Sequence, residues 1–487
     1  MNKYITCLFF LLGFTALAQQ GFQINIATEE DEVFWNVAED YNNSYIFAGY
    51  IRHPEPQVPE FSAYIAKISQ QGDTILQKIL ITDTVNLILY QVIALENGNY
   101  LFVGKSGDLN SNDFQNFFTL LTDGLFNVLK TDQVQIPGIY KSIHFKQFYV
   151  EDSNGQFVIG GKLLYDIIHG DLFLCRIDSE GTILDFKNFI FTGHNPDVFG
   201  IFKSVNTEMY SVFGAGFYAY APIEILEIDL SFIIREHHIL NNFVDIDQFR
   251  TIKQFDDNSY LLGGEKTTME PYDSNLELMV FDTNQNIYSQ INLGRDTVWE
   301  YPAWQRCLDF IDKDNIYVSG FRGGAWWYTY QDYVQIWLLD EDLNIKASKF
   351  FGGDANYQVH SISATSDGGC IIAAIRHEDT QGDERDIFIL KIFEDDLITS
   401  AEETPYAHDY DAIIYPNPGS GYLTIETCKR DLQFNLYNAT GYPVIQKNNI
   451  ATTRININTQ HILKGVYYYS LTKGNQIIQT GKWIKSH

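Results

Sequence analysis

The sequence predicts an all-β chain, a seven-bladed β-propeller followed by a small C-terminal β-sandwich, and three observations carry that expectation. From Phe22 to Thr399 the chain repeats with a period of about fifty residues. Each repeat alternates short β-branched and aromatic runs with turn-forming residues, and long helical periodicity is absent. After Asp411 the pattern changes to a Pro-flanked entry and hairpin-like runs with a basic end. Repeats of ~40–50 residues holding four strands bury their faces against neighbours around a common axis.

The clearest repeat marker is an aromatic or aliphatic residue followed four positions later by a small one. It occurs as Tyr45 to Gly49, Tyr100 to Gly104, Phe157 to Gly161, Tyr210 to Gly214, Tyr260 to Gly264, Ile316 to Gly320 and, degenerate, Cys370 to Ala374. Seven markers make seven units. Turn chemistry precedes most of them, as in Asn42-Asn43-Ser44, Asp152-Ser153-Asn154-Gly155 and Ser366-Asp367-Gly368-Gly369. A second run, such as Tyr64–Ile68 or Leu172–Ile177, follows in most units. We label the four strand positions of a unit A to D, with tight A–B and C–D turns.

The last unit has a C strand at Ile387–Ile392 and only Leu397-Ile398-Thr399 beyond it, whereas Phe22–Ala27 precedes the first A strand and aligns with D strands elsewhere. An N-terminal strand completing the last unit removes an exposed edge. The sequence therefore predicts that the chain's two ends close the array.

Both termini read as export signals. Lys3, the apolar run Cys7–Phe14 and Ala16-Leu17-Ala18 form a signal peptide at 1–18, leaving a mature chain from Gln19. The expected organisation is a propeller at 19–400, an acidic linker at 401–411 and a terminal domain at 412–487. No later stretch reaches the ~20 apolar residues of a membrane span. The net charge is −29; the chain from Ile413 carries +6 and Lys3 +1, which leaves −36 on 19–412. Such a body repels phosphate backbones and anionic headgroups, excluding nucleic acid as a partner. Cys175, Cys307, Cys370 and Cys428 stand singly, with no disulfide framework or zinc spacing. No cofactor is expected, with calcium binding by the acidic body as the weaker reading.

With tight turns on one face, any ligand should sit on the face of the longer B–C connections: Arg52–Glu60, Ser106–Asp113, Lys266–Asn275, Arg322–Asp332 and Arg376–Glu384. Arg322 with Trp326, Trp327 and Tyr328 offers aromatic platforms beside a guanidinium, suited to a sugar ring or a protein hot spot, unless the rings pack between units. His53 of the first unit and Arg376-His377 of the last become neighbours if the array closes; His with carboxylates could bind a metal or act as a base, against the plainer reading of surface histidines. GxSxG, HExxH and P-loop patterns are absent.

The terminal block carries four motifs in order. These are Tyr415-Pro416-Asn417-Pro418; Tyr437-Asn438-Ala439-Thr440-Gly441-Tyr442-Pro443-Val444; Leu463-Lys464-Gly465-Val466-Tyr467; and a finish at Lys482-Trp483-Ile484-Lys485. This order resembles the C-terminal sorting domain of the type IX secretion system, the Por secretion tail; an immunoglobulin-like adhesive module is the alternative. The resemblance implies engagement of the type IX machinery and passage through the periplasm to the medium or outer cell surface. The repeats resemble the degenerate propeller repeats of type IX cargo. The reading that follows is a secreted or cell-surface, non-enzymatic binding module for an extracellular protein or glycan. The alternatives are a secreted polysaccharide-active hydrolase and a structural surface-layer component.

Overall fold

The structure is a computed structural model that describes residues 21–54, 59–82, 84–109, 114–152, 154–166, 169–189, 196–204, 209–216, 222–240, 246–256, 258–269, 272–294, 299–322, 332–378, 384–397, 412–427, 432–450, 454–474 and 476–486. The expected signal peptide and linker lie outside these residues.

Among the described residues the body holds seven antiparallel sheets in chain order. The first comprises Asp31–Glu39, Tyr45–Arg52, Phe61–Ile68 and Thr74–Leu80. The next four repeat that A-to-D order, with A strands at Val85–Ala94, Ser142–Glu151, Pro196–Lys203 and Gln248–Gln254. The sixth splits its A strand into Glu300–Pro302 and Leu308–Asp309, both paired with Ile316–Arg322. The seventh takes Asn356–Ala364, Cys370–His377 and Asp386–Ile392 from the end of the array and Phe22–Ile26 from its beginning. Phe22 lies opposite Lys391 and Ile26 opposite Ile387, so the two ends of the body are hydrogen-bonded as the sequence predicts.

Strand composition follows position in the sheet. B and C strands such as Tyr45–Arg52 and Tyr333–Leu339 are almost wholly buried, being covered on both faces. The D strand Val128–Gln135 alternates exposed and half-buried residues, as the outermost strand of a sheet should. Apolar clusters join consecutive sheets: Ile46 and Ile65 pack with Leu87, Leu89 and Phe102, and Leu261 and Leu278 pack with Leu308, Val318 and Trp337. A further cluster sets Phe34, Phe47 and Tyr64 of the first sheet against Ile371, Ile387 and Ile389 of the last. Each such large side chain contributes about 1.5–3 kcal/mol when fully buried. The three described cysteines are free and buried within these layers.

The marker glycines have a physical cause. Gly49, Gly104, Gly161, Gly214 and Gly264 each sit opposite the A-strand residue where the A–B register slips, and Ala374 does so in the seventh sheet. A Cβ on Gly49 would stand 1.8 Å from the Val33 carbonyl oxygen, and one on Gly104 2.1 Å from that of Ile88. The small residue lets the A strand bulge, and the bulge ejects one residue from the ladder. The ejected residues are Trp35, Tyr90, Phe199, Arg250 and His360.

One turn type recurs seven times on one face of the body. At Asp40, Asp123, Asp152, Asp178, Asp229, Asp282 and Asp340 the carboxylate Oδ1 accepts from the backbone N–H groups two and four residues on, at 2.7–3.1 Å. These are Asx turns closing A–B and C–D connections. At Asp282 burial opposes ionisation, but hydrogen bonds from Asn286 and Tyr288 outweigh it and hold the carboxyl down at about 2.

The opposite face differs from the sequence expectation in two places. Lys266–Asn275, read as a loop, is mostly ladder: Ser259–Met269 pairs with Tyr272–Asp282 and Lys266 faces Asn275. The hairpin projects because Thr267, Thr268, Asp273 and Ser274 can continue a ladder whose hydrophobic pattern has ended. Ser106–Asp108 likewise belongs to the strand Tyr100–Asp108.

The terminal domain consists of two sheets around one apolar cluster. Ile413–Tyr415, Tyr422–Glu426 and Arg454–Asn458 form one; Pro443–Ile450, Leu432–Asn438, Gly465–Lys473 and Gln476–Lys485 form the other. Leu423, Ile425, Phe434, Leu436, Leu471 and Trp483 are all buried between them.

Candidate functional site

Three places concentrate chemistry: the axis where the A strands converge, the seam between the first and seventh sheets, and the terminal domain. The convergence is visible in contacts that skip sheets. Arg306 of the sixth sheet donates from Nε to the Ile362 carbonyl of the seventh at 2.6 Å and from Nη2 to the Val37 carbonyl of the first at 3.3 Å. Three of the bulged residues, Trp35, Tyr90 and His360, meet there. The Trp35 ring stacks on His360 at 4.4 Å and on Tyr90 at 5.4 Å, Tyr90 meets Phe145 at 5.4 Å, and the Arg250 guanidinium lies 4.9 Å from the Trp304 ring.

His360 belongs to this packing rather than to acid–base chemistry. Burial pushes its imidazole down to about 3, the Arg385 charge adds to that, and the hydrogen bond to the Phe34 carbonyl only partly opposes it. A ring held neutral through the physiological range is a wedge between Trp35 and the backbone. Sequence reasoning missed all five bulged residues. The signal that finds them is spacing: each lies fourteen or fifteen positions before the marker's small residue, as Trp35 precedes Gly49 and His360 precedes Ala374.

At the seam, the expected neighbourhood of first and last units is present. The backbone N–H of Glu32 donates to the Arg385 carbonyl at 2.8 Å. Arg385 bonds Asp31 through Nε at 2.6 Å and also through Nη2, with the Tyr50 hydroxyl at 3.2 Å. Arg376 pairs with Asp354 at 3.1 Å and with Glu378, and reaches Asp386 at 4.0 Å. His53 is buried, with Nδ1 2.8 Å from Glu30 and Nε2 2.9 Å from Ser62. His377 is buried too, its Nδ1 2.6 Å from the Glu384 carbonyl oxygen. His53 thus meets a carboxylate and a hydroxyl, and His377 a backbone carbonyl. Among the described residues no group of three or more His, Cys, Asp or Glu side chains is arranged to hold a metal.

Two carboxyls at this seam are poised to titrate. Glu32 is fully buried and its Oε2 has no hydrogen-bond partner among the described residues. Burial raises its pKa to about 8 against the pull of the Thr28 hydrogen bond, and Asp386, Glu384 and Asp31 add repulsion. Asp386 is also raised, by burial first, with the Arg376 charge opposing. An acid whose pKa is about 8 folded and near 4.5 unfolded binds more protons in the native state between those values. Its stabilisation is complete below about pH 4.5 and is lost as pH rises through 8. The expected result is that Glu32→Gln flattens the decline in unfolding free energy between pH 5 and 9 by roughly 3 kcal/mol. Urea titrations across that range measure it.

Of the aromatic loop, Arg322 is described and Trp326, Trp327 and Tyr328 lie outside the described residues. The Arg322 guanidinium stands 5.9 Å from the rings of Tyr333 and Phe350, at the C-terminal end of its strand on the B–C face. Its Nη1 is buried without a hydrogen-bond partner among the described residues.

In the terminal domain, motifs nearly seventy residues apart clasp one another. The Asn417 amide donates from Nδ2 to the Lys482 carbonyl at 2.7 Å and accepts from the Ile484 N–H at 2.9 Å. Trp483 Nε1 donates to the Pro416 carbonyl at 2.7 Å, and Lys485 Nζ donates to the Ser420 carbonyl. The Tyr467 ring lies 6.1 Å from Trp483 and its hydroxyl bonds the Leu463 carbonyl at 2.6 Å. Gly441 takes a positive φ of 79° in the Asn438–Tyr442 turn, which favours glycine. Tyr415 is buried and meets Tyr333 of the body edge-on at 5.1 Å. The motifs are therefore one structural object: the entry segment, pinned to the last strand. Asn417→Ala removes both side-chain bonds and should cost about 1–2 kcal/mol. Export, followed as the fraction of protein reaching the medium or surface, should fall severalfold.

Comparison with known proteins agrees with this division. Residues 413–486 match the family model described as a secretion system C-terminal sorting domain, and this segment is such a domain. The chain is accordingly a type IX secretion cargo, delivered to the outside of the cell or attached to its surface. No helix among the described residues is long and apolar enough to cross a membrane. The body is a propeller-like all-β fold. Solved structures with which it can be aligned include the β-propeller domain of the Trilobed protease from Pyrococcus furiosus, at 10% identity over 76% of this chain and 98% of that one, TM-score 0.43. Others are polysaccharide lyase Uly1, at 10% identity over 76% and 99%, TM-score 0.44, and the NanB sialidase from Streptococcus pneumoniae, at 11% over 77% and 70%, TM-score 0.40. No curated protein matches the chain.

Proposed function

We propose that the chain is an exported binding module: a closed seven-bladed propeller at 19–400 that presents its B–C face to an extracellular protein or glycan, released from a signal peptide at 1–18 and carried by a sandwich-like sorting domain at 412–487. The observation that carries this reading is the inequality of the two faces. Seven Asx turns of one kind serve one side, where nothing but closure is required of the backbone. The other side bears connections of differing length and composition, with Arg322 and Arg376 among its strand ends. Cations on an otherwise acidic body select an approach direction for an anionic or polar partner. On this reading Trp326, Trp327 and Tyr328 supply the contact area, four to six positions along the chain from Arg322, whose Nη1 is unpaired among the described residues. His53 and His377 set the backbone at the rim.

The test is a binding titration of the mature protein and of its Trp326→Ala/Trp327→Ala variant against a ligand captured from surface glycans or proteins. Affinity should drop at least about thirtyfold, the cost of one strong anchor at ~2 kcal/mol, with the melting temperature unchanged. An unfolded double variant, or equal affinity, overturns the assignment.

A further inference from the structure

Lys105 is a buried lysine unlike the others. It lies on Tyr100–Asp108, between Ile88 and Phe117, and is 6% exposed. Lys67 and Lys391, also well covered, each have an aspartate: Asp40 and Asp367, both at 2.8 Å. Lys105 has rings instead. Its Nζ is 4.5 Å from the centre of Phe114 and 5.2 Å from that of Tyr90, and no carboxylate, carbonyl or hydroxyl among the described residues bonds it. These walls are held from behind. Tyr90, the bulged residue of the second sheet, is stacked on Trp35 and packed on Phe145, and Phe114 meets Phe61 edge-on at 5.8 Å. Lys105 lies three residues before the end of Tyr100–Asp108 that leads into the B–C connection, and Phe114 follows that connection, which puts the amine toward the B–C face of its sheet.

We propose that Lys105 is a nucleophilic amine that forms an imine with a small aldehyde entering from that face. The Nζ lone pair adds to the carbonyl carbon, a proton passes from nitrogen to oxygen, and loss of water leaves the C=N bond. Amine and aldehyde give imine and water, and hydrolysis reverses the step. An aromatic enclosure with no counter-charge among the described residues favours the neutral amine and an uncharged adduct over an ammonium. Burial lowers the Lys105 pKa to about 7. Tyr90 is the titratable group facing it, and burial keeps that phenol protonated.

Reductive methylation of the mature protein with formaldehyde and cyanoborohydride at pH 7, mapped by peptide mass, tests this. An ordinary lysine with a pKa of ~10.4 is free base about once in 2,500 molecules at that pH. Lys105 should therefore be methylated at least tenfold faster than the other lysines, and only when the reductant is present to trap the imine. Methylation of Lys105 no faster than the rest overturns the proposal.

Discussion

Removal of residues 413–486 is expected to abolish export, dropping the amount of protein in the medium and on the surface at least tenfold while a folded body accumulates in the periplasm. The expectation rests on two separations in the structure. The sorting domain has its own apolar cluster, from Ala412 to Trp483, and among the described residues its two sheets exchange no strand with the body. The body's last sheet is completed by Phe22–Ile26, not by anything from the terminal domain. Deletion therefore removes the address without opening the array. Fractionation with a protease-resistance assay on the periplasmic pool distinguishes lost sorting from lost folding, and a protease-sensitive pool would place the tail within the folding unit.

A chain that begins at Asp31 is expected to lose about 3 kcal/mol and to aggregate. Phe22, Ile24 and Ile26 are half-buried against Ile371, Ala373, Ile387 and Ile389, and at partial burial each contributes about 1 kcal/mol. Their removal also strips five register pairs from Asp386–Ile392 and exposes that strand's edge. Light scattering during thermal unfolding should show earlier onset and irreversible aggregation. A melting curve superimposable on that of the mature chain would mean that the closing pairing is not used.

The parts of this fold legible in the sequence are those with a local cause. The marker glycines stand out because a Cβ there would strike a carbonyl oxygen, and Asp152 reads as a turn former because it accepts two backbone bonds within four residues. The N-terminal closure was legible from an unpaired unit at each end. Less legible were features created by the third dimension. A bulge shifts alternation by a single residue, so Trp35, Tyr90 and His360 read as ordinary strand positions until the register places them at the axis. Lys266–Asn275 reads as a loop because the polar end of the hairpin formed by Ser259–Met269 and Tyr272–Asp282 carries no periodicity of apolar residues. His53 and His377 looked like rim histidines, and only burial and partners show each to be tied to a neighbouring segment. The clasp of Asn417 on Lys482 and Ile484 spans more than sixty residues, and no spacing rule announces it.

On the proposed reading, the exported body binds through its B–C face and leaves what it binds chemically unchanged. The most direct measurement is to pass the mature protein over an array carrying both surface polysaccharides and cell-surface proteins, reading retained protein and released soluble sugar together. The account predicts retention on a restricted set of spots with no sugar released. Release of soluble sugar, or retention on no spot of either kind, would contradict it.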